Sequence, residues 1–312
     1  MKDQGGARVS PPCVATATPS GDVPLRGAWG SAARRTPLLG ALRAHWPEYL
    51  IEAALLGLFM ISASVFTILL EYPGSPVVVL LPDPFVRRMF IGIAMGLTAL
   101  ALILSPMGKR SGAHFNPAVT LTFWRLGKVQ PWDAFFYVIA QFLGGVAGVA
   151  VMATATPRLM ADPSVSFVAT LPGTAGAGVA FAAEFAISFV LMTTILLVSN
   201  TPRLARYTPF FAATLVASFI TFEAPLSGMS MNPARNFGSA FVGHIWTGLW
   251  IYFTAPVLAM WCAAAVFLRA GRVVYCAKLH HHNGARCIFH CAFGQLAELE
   301  SGRAVSAHRR LG

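Results

Sequence analysis

The sequence has little charge. Only 11% of its 312 residues are charged and just 12 are acidic, whereas hydrophobic residues make up 56%. Soluble domains carry about 25% charged residues, because their surface must be covered with polar groups. The composition therefore excludes an ordinary soluble domain and favours a chain that lies largely in a bilayer.

Other features are also missing. No nucleophile–base pair or cofactor motif is found, so no enzyme, no catalytic residue and no cofactor are predicted. No apolar h-region precedes residue 48, so residues 1–45 are predicted to be a disordered basic tail and not a cleaved signal peptide. The five cysteines avoid the loops that are placed outside, which argues against a disulfide framework. The net charge of +11 does not cluster on an amphipathic element, so no nucleic-acid partner is predicted.

Long apolar segments are abundant. About 20 such residues cross a bilayer core of about 30 Å as a helix. Six spans are predicted, at residues 47–70, 87–105, 131–152, 179–199, 207–222 and 245–268. A shorter apolar segment, too short to span, follows the second and the fifth of them.

Each of these shorter segments begins with a similar box. Residues 111–120 read SGAHFNPAVT and residues 227–238 read SGMSMNPARNFG, with a constant offset of 116. Asn is a good N-cap and Pro fits the first helical position, so each box predicts a loop that ends at a helix start. Interrupted segments at matching positions of two halves indicate a transport site made from half-helix N-termini. Three spans per repeat give the copies opposite topology, so Asn116 and Asn232 are expected to meet at mid-membrane.

The two boxes, the second followed at once by Arg235, resemble those of the aquaporins, the major intrinsic protein family. The resemblance covers about residues 48–269. It implies an all-α integral membrane fold, a right-handed bundle of six transmembrane helices and two half-helices in two inverted repeats. It also implies a homotetramer with one pore per subunit. The domains are then a channel at 46–270, with repeats at 46–153 and 176–270, and a Cys/His-rich cytoplasmic tail at 271–312.

The distribution of basic residues predicts the orientation. With both termini in the cytoplasm, 19 of the 23 Lys and Arg residues lie inside. The positive-inside rule favours this arrangement. We therefore expect a multi-pass protein of the cell membrane with both termini cytoplasmic.

The boxes also predict the pore. Backbone carbonyls before each Asn would form a ladder of acceptors, since irregular backbone at membrane depth is tolerated where it lines a cavity. Asn116 and Asn232 would donate into the pore, and two helix N-termini would repel cations.

The resemblance assigns Arg235 to the outer constriction, and alignment by eye adds Ile220, Met229 and Met95. A slip of one residue would replace Met95 by Gly96. The strict water channels of this family carry His at the position of Ile220, so the predicted filter is more apolar than theirs.

Three buried ionisable residues have two interpretations. Glu52 and Glu184, at matching positions of the repeats, would act in an ion path or accept hydrogen bonds from the box loops, and the structural role is favoured. His114 would carry protons or brace its loop, and bracing is favoured because the second box has Ser230 at the matching position.

The predicted function is a passive channel that conducts water in single file and excludes protons and ions. The alternative is a broader channel for small neutral solutes such as glycerol, ammonia or hydrogen peroxide. Family markers at Ala240 and at Tyr252-Phe253 favour water, while Asn236 favours neither. A proton-coupled transporter is disfavoured because Asn, not a carboxylate, stands where the half-helices meet.

The tail contains a separate group of Cys and His residues. No CxxC pair is present, so no metal ligand is assigned, although Zn²⁺ binding and acylation of membrane-adjacent Cys remain alternatives. The group comprises Cys276, His280, His281, His282, Cys287, His290 and Cys291.

Overall fold

The computed structural model describes residues 37–281 and 286–294, and this part of the chain folds into α-helices joined by loops and two short 3-10 turns. The predicted all-α fold is confirmed. The helices are α1 (Leu38–Glu71), α2 (Pro76–Leu80), α3 (Pro84–Leu104), α4 (Pro106–Ser111), α5 (Pro117–Arg125), α6 (Pro131–Ala155), α7 (Pro157–Met160), α8 (Ala177–Ser199), α9 (Thr208–Phe222), α10 (Ala224–Ser227), α11 (Pro233–Gly243) and α12 (Leu249–Arg269).

Two repeats are visible in this order. Helices α1, α3 and α6, with the half-helix α5, correspond to α8, α9 and α12, with the half-helix α11. Five of these six long helices are long and apolar enough to cross a membrane. The exception is α9, whose 15 residues extend about 22 Å at 1.5 Å per residue, and a 3-10 turn, Ala205–Tyr207, leads directly into it. We call the end of the bundle where α1 begins and α3 ends the inner end, and the opposite end the outer end.

Small residues set the packing of the long helices. A methyl group on Gly96 of α3 would lie 2.7 Å from the carbonyl oxygen of Ala213 on α9. Gly92 contacts the backbone of Ala217 in the same way, one turn further along. The pair of α6 glycines, Gly144 and Gly148, lies against the α1 backbone. Close backbone approach of this kind is how helices associate in lipid.

The first helix begins earlier than predicted. It starts at Leu38 and continues through Pro47, so residues 38–45 are helical and the predicted tail boundary at 45 is wrong. Residues 1–36 lie outside the described part of the chain. A proline inside a helix leaves a carbonyl one turn earlier without its usual donor. A nearby carbonyl gains a side-chain donor here, since Arg286 Nη2 donates to Ala44 O at 3.0 Å, while the hydroxyl of Tyr49 donates to Asp133 Oδ1 at 2.6 Å.

The residues after α12 pack against the bundle. Residues 274–281 and 286–294, the C-terminal segment, lie across the inner end, where Leu279 N donates to Gly112 O at 3.1 Å and His290 N donates to Lys128 O at 2.9 Å. Phe289 is buried among the core side chains and stacks on His114, with ring centroids 5.3 Å apart. The predicted division at residue 270 therefore does not separate two packing units, because the segment completes the core beneath the first box.

Candidate functional site: the pore

The two box loops are held by buried carboxylates from the first helix of each repeat. Glu52 accepts hydrogen bonds from His114 N at 3.1 Å and Phe115 N at 2.6 Å, and also from Gln141 Nε2 at 2.8 Å and the hydroxyl of Ser111 at 2.7 Å. Both carboxylate oxygens are thus occupied. Glu52 is fully buried, and its position is set by these donors.

The second repeat uses the same arrangement. Glu184 accepts from Ser230 N at 2.6 Å, from Met231 N at 2.8 Å and from the hydroxyl of Ser227 at 3.0 Å. The carbonyl of Ser227 accepts from the hydroxyl of Tyr252, as that of Ser111 accepts from Tyr137. The two loops therefore have matching supports, which is the contact pattern expected of structural carboxylates.

The box loops contain left-handed backbone. Ala113 and Phe115 have φ values of 56° and 28°, and the matching Met229 and Met231 have 54° and 58°. Such conformations cost about 1–3 kcal/mol each in residues other than glycine and persist where the surroundings fix them. The hydrogen bonds to Glu52 and Glu184 supply that constraint.

The asparagines cap their own half-helix and bond to the other repeat. Asn116 Oδ1 accepts from Ala118 N at 2.9 Å, and Asn232 Oδ1 accepts from Ala234 N at 3.1 Å. Asn116 Nδ2 donates to Met231 O at 2.7 Å, and Asn232 Nδ2 donates to Phe115 O at 2.8 Å. An amide nitrogen has two hydrogens, so one remains on each residue. The half-helices thus meet at their N-termini, and the last carbonyl of each loop is bonded to the opposite asparagine.

A cavity of about 540 Å³ runs past this meeting point. It extends from Glu71 and Arg88 at the outer end to Ile103 and Leu279 at the inner end. The predicted pore residues all line it: Met95, His114, Asn116, Ile220, Met229, Asn232 and Arg235. Glu52 and Glu184 are fully buried behind the wall.

Arg235 lies in the first turn of the second half-helix and brings a cationic group to the cavity. Its Nη1 donates to Asn236 Oδ1 at 3.2 Å, which uses one of the five guanidinium N–H donors. Met95, Ile220 and Met229 present apolar groups to the same cavity. On α3, Met95 lines the cavity while Gly96 faces α9.

His114 lies in the cavity wall with both ring nitrogens in hydrogen-bonding contact. Nδ1 lies 3.1 Å from the hydroxyl of Thr120, and Nε2 lies 2.8 Å from Ala277 O in the C-terminal segment. The ring also stacks on Phe123 at 5.4 Å. These contacts brace the first box, and they tie it to a segment that the resemblance does not cover.

Comparison with known proteins agrees with this geometry. The family model described as major intrinsic protein matches residues 46–267. The chain belongs to the major intrinsic protein family. Members of this family are channels and not enzymes, and the long apolar helices make this chain a multi-pass membrane protein.

Two of the similar relatives are plant proteins. A probable NIP-type aquaporin of Nicotiana alata is 36% identical over 180 residues, which cover 57% of this chain and 64% of that protein. Nodulin-26 of Glycine max is 32% identical over 212 residues, covering 67% and 76%. The chain thus spans slightly less than two thirds of the first of these relatives. Among solved structures, the aquaglyceroporin from Plasmodium falciparum has a TM-score of 0.59 at 18% identity, over 72% of this chain and 96% of that one, which is a likeness of fold.

Some residues of the site were missed by the sequence reasoning. Phe59 and Leu279 line the cavity and were not predicted. The carbonyls of Phe115 and Met231 were predicted as acceptors, but not as the acceptors of the crossed asparagine bonds. The carbonyl positions were recognisable from their place before each Asn, although they were expected to face the pore. No pattern indicated Leu279, because it lies in an irregular segment beyond the last span.

Proposed function

We propose that this protein is a passive channel that conducts water in single file and excludes protons and ions. The crossed pair of Asn116 and Asn232 is the observation that carries the proposal. Each residue caps a half-helix at the cavity wall, so two positive helix ends face the same point. A cation is repelled there, whereas a neutral water molecule accepts from a free amide hydrogen and reorients.

The buried ionisable groups support a channel over a proton-coupled transporter. Glu52 and Glu184 use their oxygens to hold the box loops, and both nitrogens of His114 have partners. A proton relay needs groups that exchange protons along the path, and these three are committed to structural contacts.

A second candidate function is conduction of small neutral solutes such as glycerol, ammonia or hydrogen peroxide. The apolar groups of Met95, Ile220 and Met229 favour it, because a carbon edge can lie against them while Arg235 binds hydroxyls. An unmatched hydroxyl costs about 1–3 kcal/mol, or one to two powers of ten in rate. The solved neighbour, named as an aquaglyceroporin, also makes this candidate worth testing.

The test is stopped-flow measurement of proteoliposomes in sucrose, glycerol and ammonium gradients. We expect fast water flux and glycerol flux at least about tenfold slower per channel, from one unmatched hydroxyl. Arg235→Ala should raise the fluxes of glycerol and ammonia because it removes the charge and widens the cavity. Arg158→Ala, an exposed arginine on α7, is the control and should change neither. Rapid glycerol uptake by the wild type, with no gain in Arg235→Ala, would favour the second candidate.

The topology and assembly are part of the proposal. We place both termini in the cytoplasm, on the basis of the 19 basic residues there, and the protein in the cell membrane as a homotetramer. Labelling of a C-terminal tag from outside intact cells would contradict the orientation. Native mass spectrometry from detergent should give four chains, and a monomer under mild conditions would contradict the tetramer.

A further inference from the structure

Four side chains of the C-terminal segment converge at the inner end of the bundle. Their ligand atoms all lie within 4.8 Å of one another: the sulfurs of Cys276, Cys287 and Cys291, and a ring nitrogen of His281. The sulfurs of Cys276 and Cys287 are 3.6 Å apart, and His281 Nε2 lies 3.2 Å from the sulfur of Cys291. His290 is not part of the cluster, because its Nδ1 bonds to Gly127 O at 2.8 Å, and His282 lies outside the described residues.

The two shortest of these spacings are close to those of a tetrahedral metal site. With zinc–sulfur bonds of about 2.3 Å, two ligand sulfurs of a tetrahedron lie about 3.8 Å apart. With a zinc–nitrogen bond of about 2.0 Å, sulfur and nitrogen lie about 3.5 Å apart. The distances of 3.6 Å and 3.2 Å are within a few tenths of an ångström of these values.

The fold holds the two arms of the segment in place. Ala292 N donates to Tyr275 O at 2.7 Å, so the arm that carries Cys276 runs beside the arm that carries Cys291. The first arm is fixed to the end of α8, since Tyr275 N donates to Asn200 Oδ1 at 2.7 Å. The ring of His281 stacks on Phe293 with centroids 4.1 Å apart, which sets the direction of its nitrogen.

The surroundings suit a site of this charge. Three thiolates and one neutral imidazole around a divalent ion carry a net charge of −1. The ammonium group of Lys128 interacts electrostatically with Cys276 and Cys291 and compensates it. A cavity of about 140 Å³ borders Cys276 and His281.

We propose that Cys276, His281, Cys287 and Cys291 bind one Zn²⁺ ion, which joins the two arms of the C-terminal segment. Thiolate and imidazole ligands select zinc over hard cations such as Mg²⁺ or Ca²⁺. The site is structural, since four protein ligands leave no open position for a substrate.

The position of the site links the ion to the pore. Three residues after Cys276, Leu279 lines the inner end of the cavity, and Ala277 O contacts the ring of His114. An ion held by residues on both sides of this stretch would fix it against the first box. The metal would therefore stabilise the wall of the inner mouth.

The cluster has two alternative states: cysteines packed without a metal ion, and a disulfide. Cysteines often pack as small apolar side chains, and the cluster would then bind nothing. A disulfide between Cys276 and Cys287 would need its sulfurs about 2.05 Å apart, whereas they are 3.6 Å apart.

The first experiment is metal analysis of the full-length protein, purified in mild detergent with reductant, without chelator and without a histidine tag. We expect about one Zn²⁺ per chain, and near zero in Cys287→Ser and Cys291→Ser. Cys262→Ser is the matched control and should keep its zinc, because Cys262 is exposed on α12 and outside the cluster. Zinc retained by both cluster variants would overturn the proposal.

The second experiment uses only the wild-type protein, so it does not depend on the folding of a variant. Protein stripped with a chelator is titrated with Co²⁺ while its absorption spectrum is recorded. We expect saturation at about one equivalent, with thiolate-to-cobalt charge-transfer bands and the visible bands of tetrahedral Co²⁺. No zinc as purified together with no cobalt uptake, or a Cys276–Cys287 disulfide found by mass spectrometry of the reduced preparation, would overturn the proposal.

Discussion

The carboxylate of Glu184 offers a quantitative test of how the second box is held. Its oxygens accept three hydrogen bonds, from Ser227, Ser230 and Met231, while Ser227 itself accepts from Met229 N at 3.1 Å. Glu184→Gln keeps the size of the side chain but replaces one acceptor oxygen by an NH₂ group. In either orientation of the amide, at least one buried donor then faces another donor.

The cost follows from these contacts. One buried donor left unpaired costs about 1–3 kcal/mol. The remaining bonds change from charged to neutral acceptors and lose about 1 kcal/mol each, so the total is about 3–5 kcal/mol. The left-handed backbone at Met229 and Met231 would no longer be fully constrained, so water permeability should fall together with stability.

The assay is thermal unfolding in detergent, combined with water flux per channel in proteoliposomes. Glu71→Gln is the matched control for stability, since Glu71 forms a partly exposed ion pair with Arg87 at 3.2 Å at the outer rim. Such pairs contribute about 0–1 kcal/mol. If Glu184→Gln were no less stable than Glu71→Gln and no less permeable than the wild type, the carboxylate would not be the group that holds the loop.

Three further substitutions test other parts of the structure. Gly96→Leu should prevent the close approach of α3 and α9 and yield little monodisperse protein by size exclusion, whereas Leu97→Ile, in an exposed position, should behave as the wild type. Phe289→Ala should weaken the anchoring of the C-terminal segment by about 3–5 kcal/mol, seen as faster limited proteolysis there, and an unchanged rate would contradict the packing at His114. Leu279→Ala should widen the inner end of the cavity and raise water flux above the wild type, and lower flux would contradict its place in the wall.

The sequence predicted the pore centre well because its signals are local. Asn followed by Pro determines where a half-helix starts, and α5 and α11 begin at Pro117 and Pro233 as expected. Repetition of the box at a constant offset then predicted that the two starts meet. The small-residue pairs were equally readable, since a pair of glycines spaced by four residues has few uses in a lipid-embedded helix other than packing.

Other parts depend on contacts that no local pattern encodes. Pro47 was interpreted as a helix start, but the helix passes through it, and the nearby carbonyl of Ala44 accepts a hydrogen bond from Arg286, which is more than 200 residues away. The C-terminal segment has neither helical nor strand periodicity. Its place is set by Phe289 and by backbone hydrogen bonds to the first repeat. Because these contacts leave no local pattern, the sequence predicted only a tail.

The crossed hydrogen bonds of the two asparagines have a consequence for synthesis in the cell. The acceptor for Asn116 is the carbonyl of Met231, which is made 115 residues later. Ala277, whose carbonyl contacts the ring of His114, is made later still. A ribosome that has inserted the first three long helices has therefore delivered a half-helix whose tip has no partner. The meeting point of the two half-helices can therefore form only after the second box has been made, and its contact with the C-terminal segment forms later still.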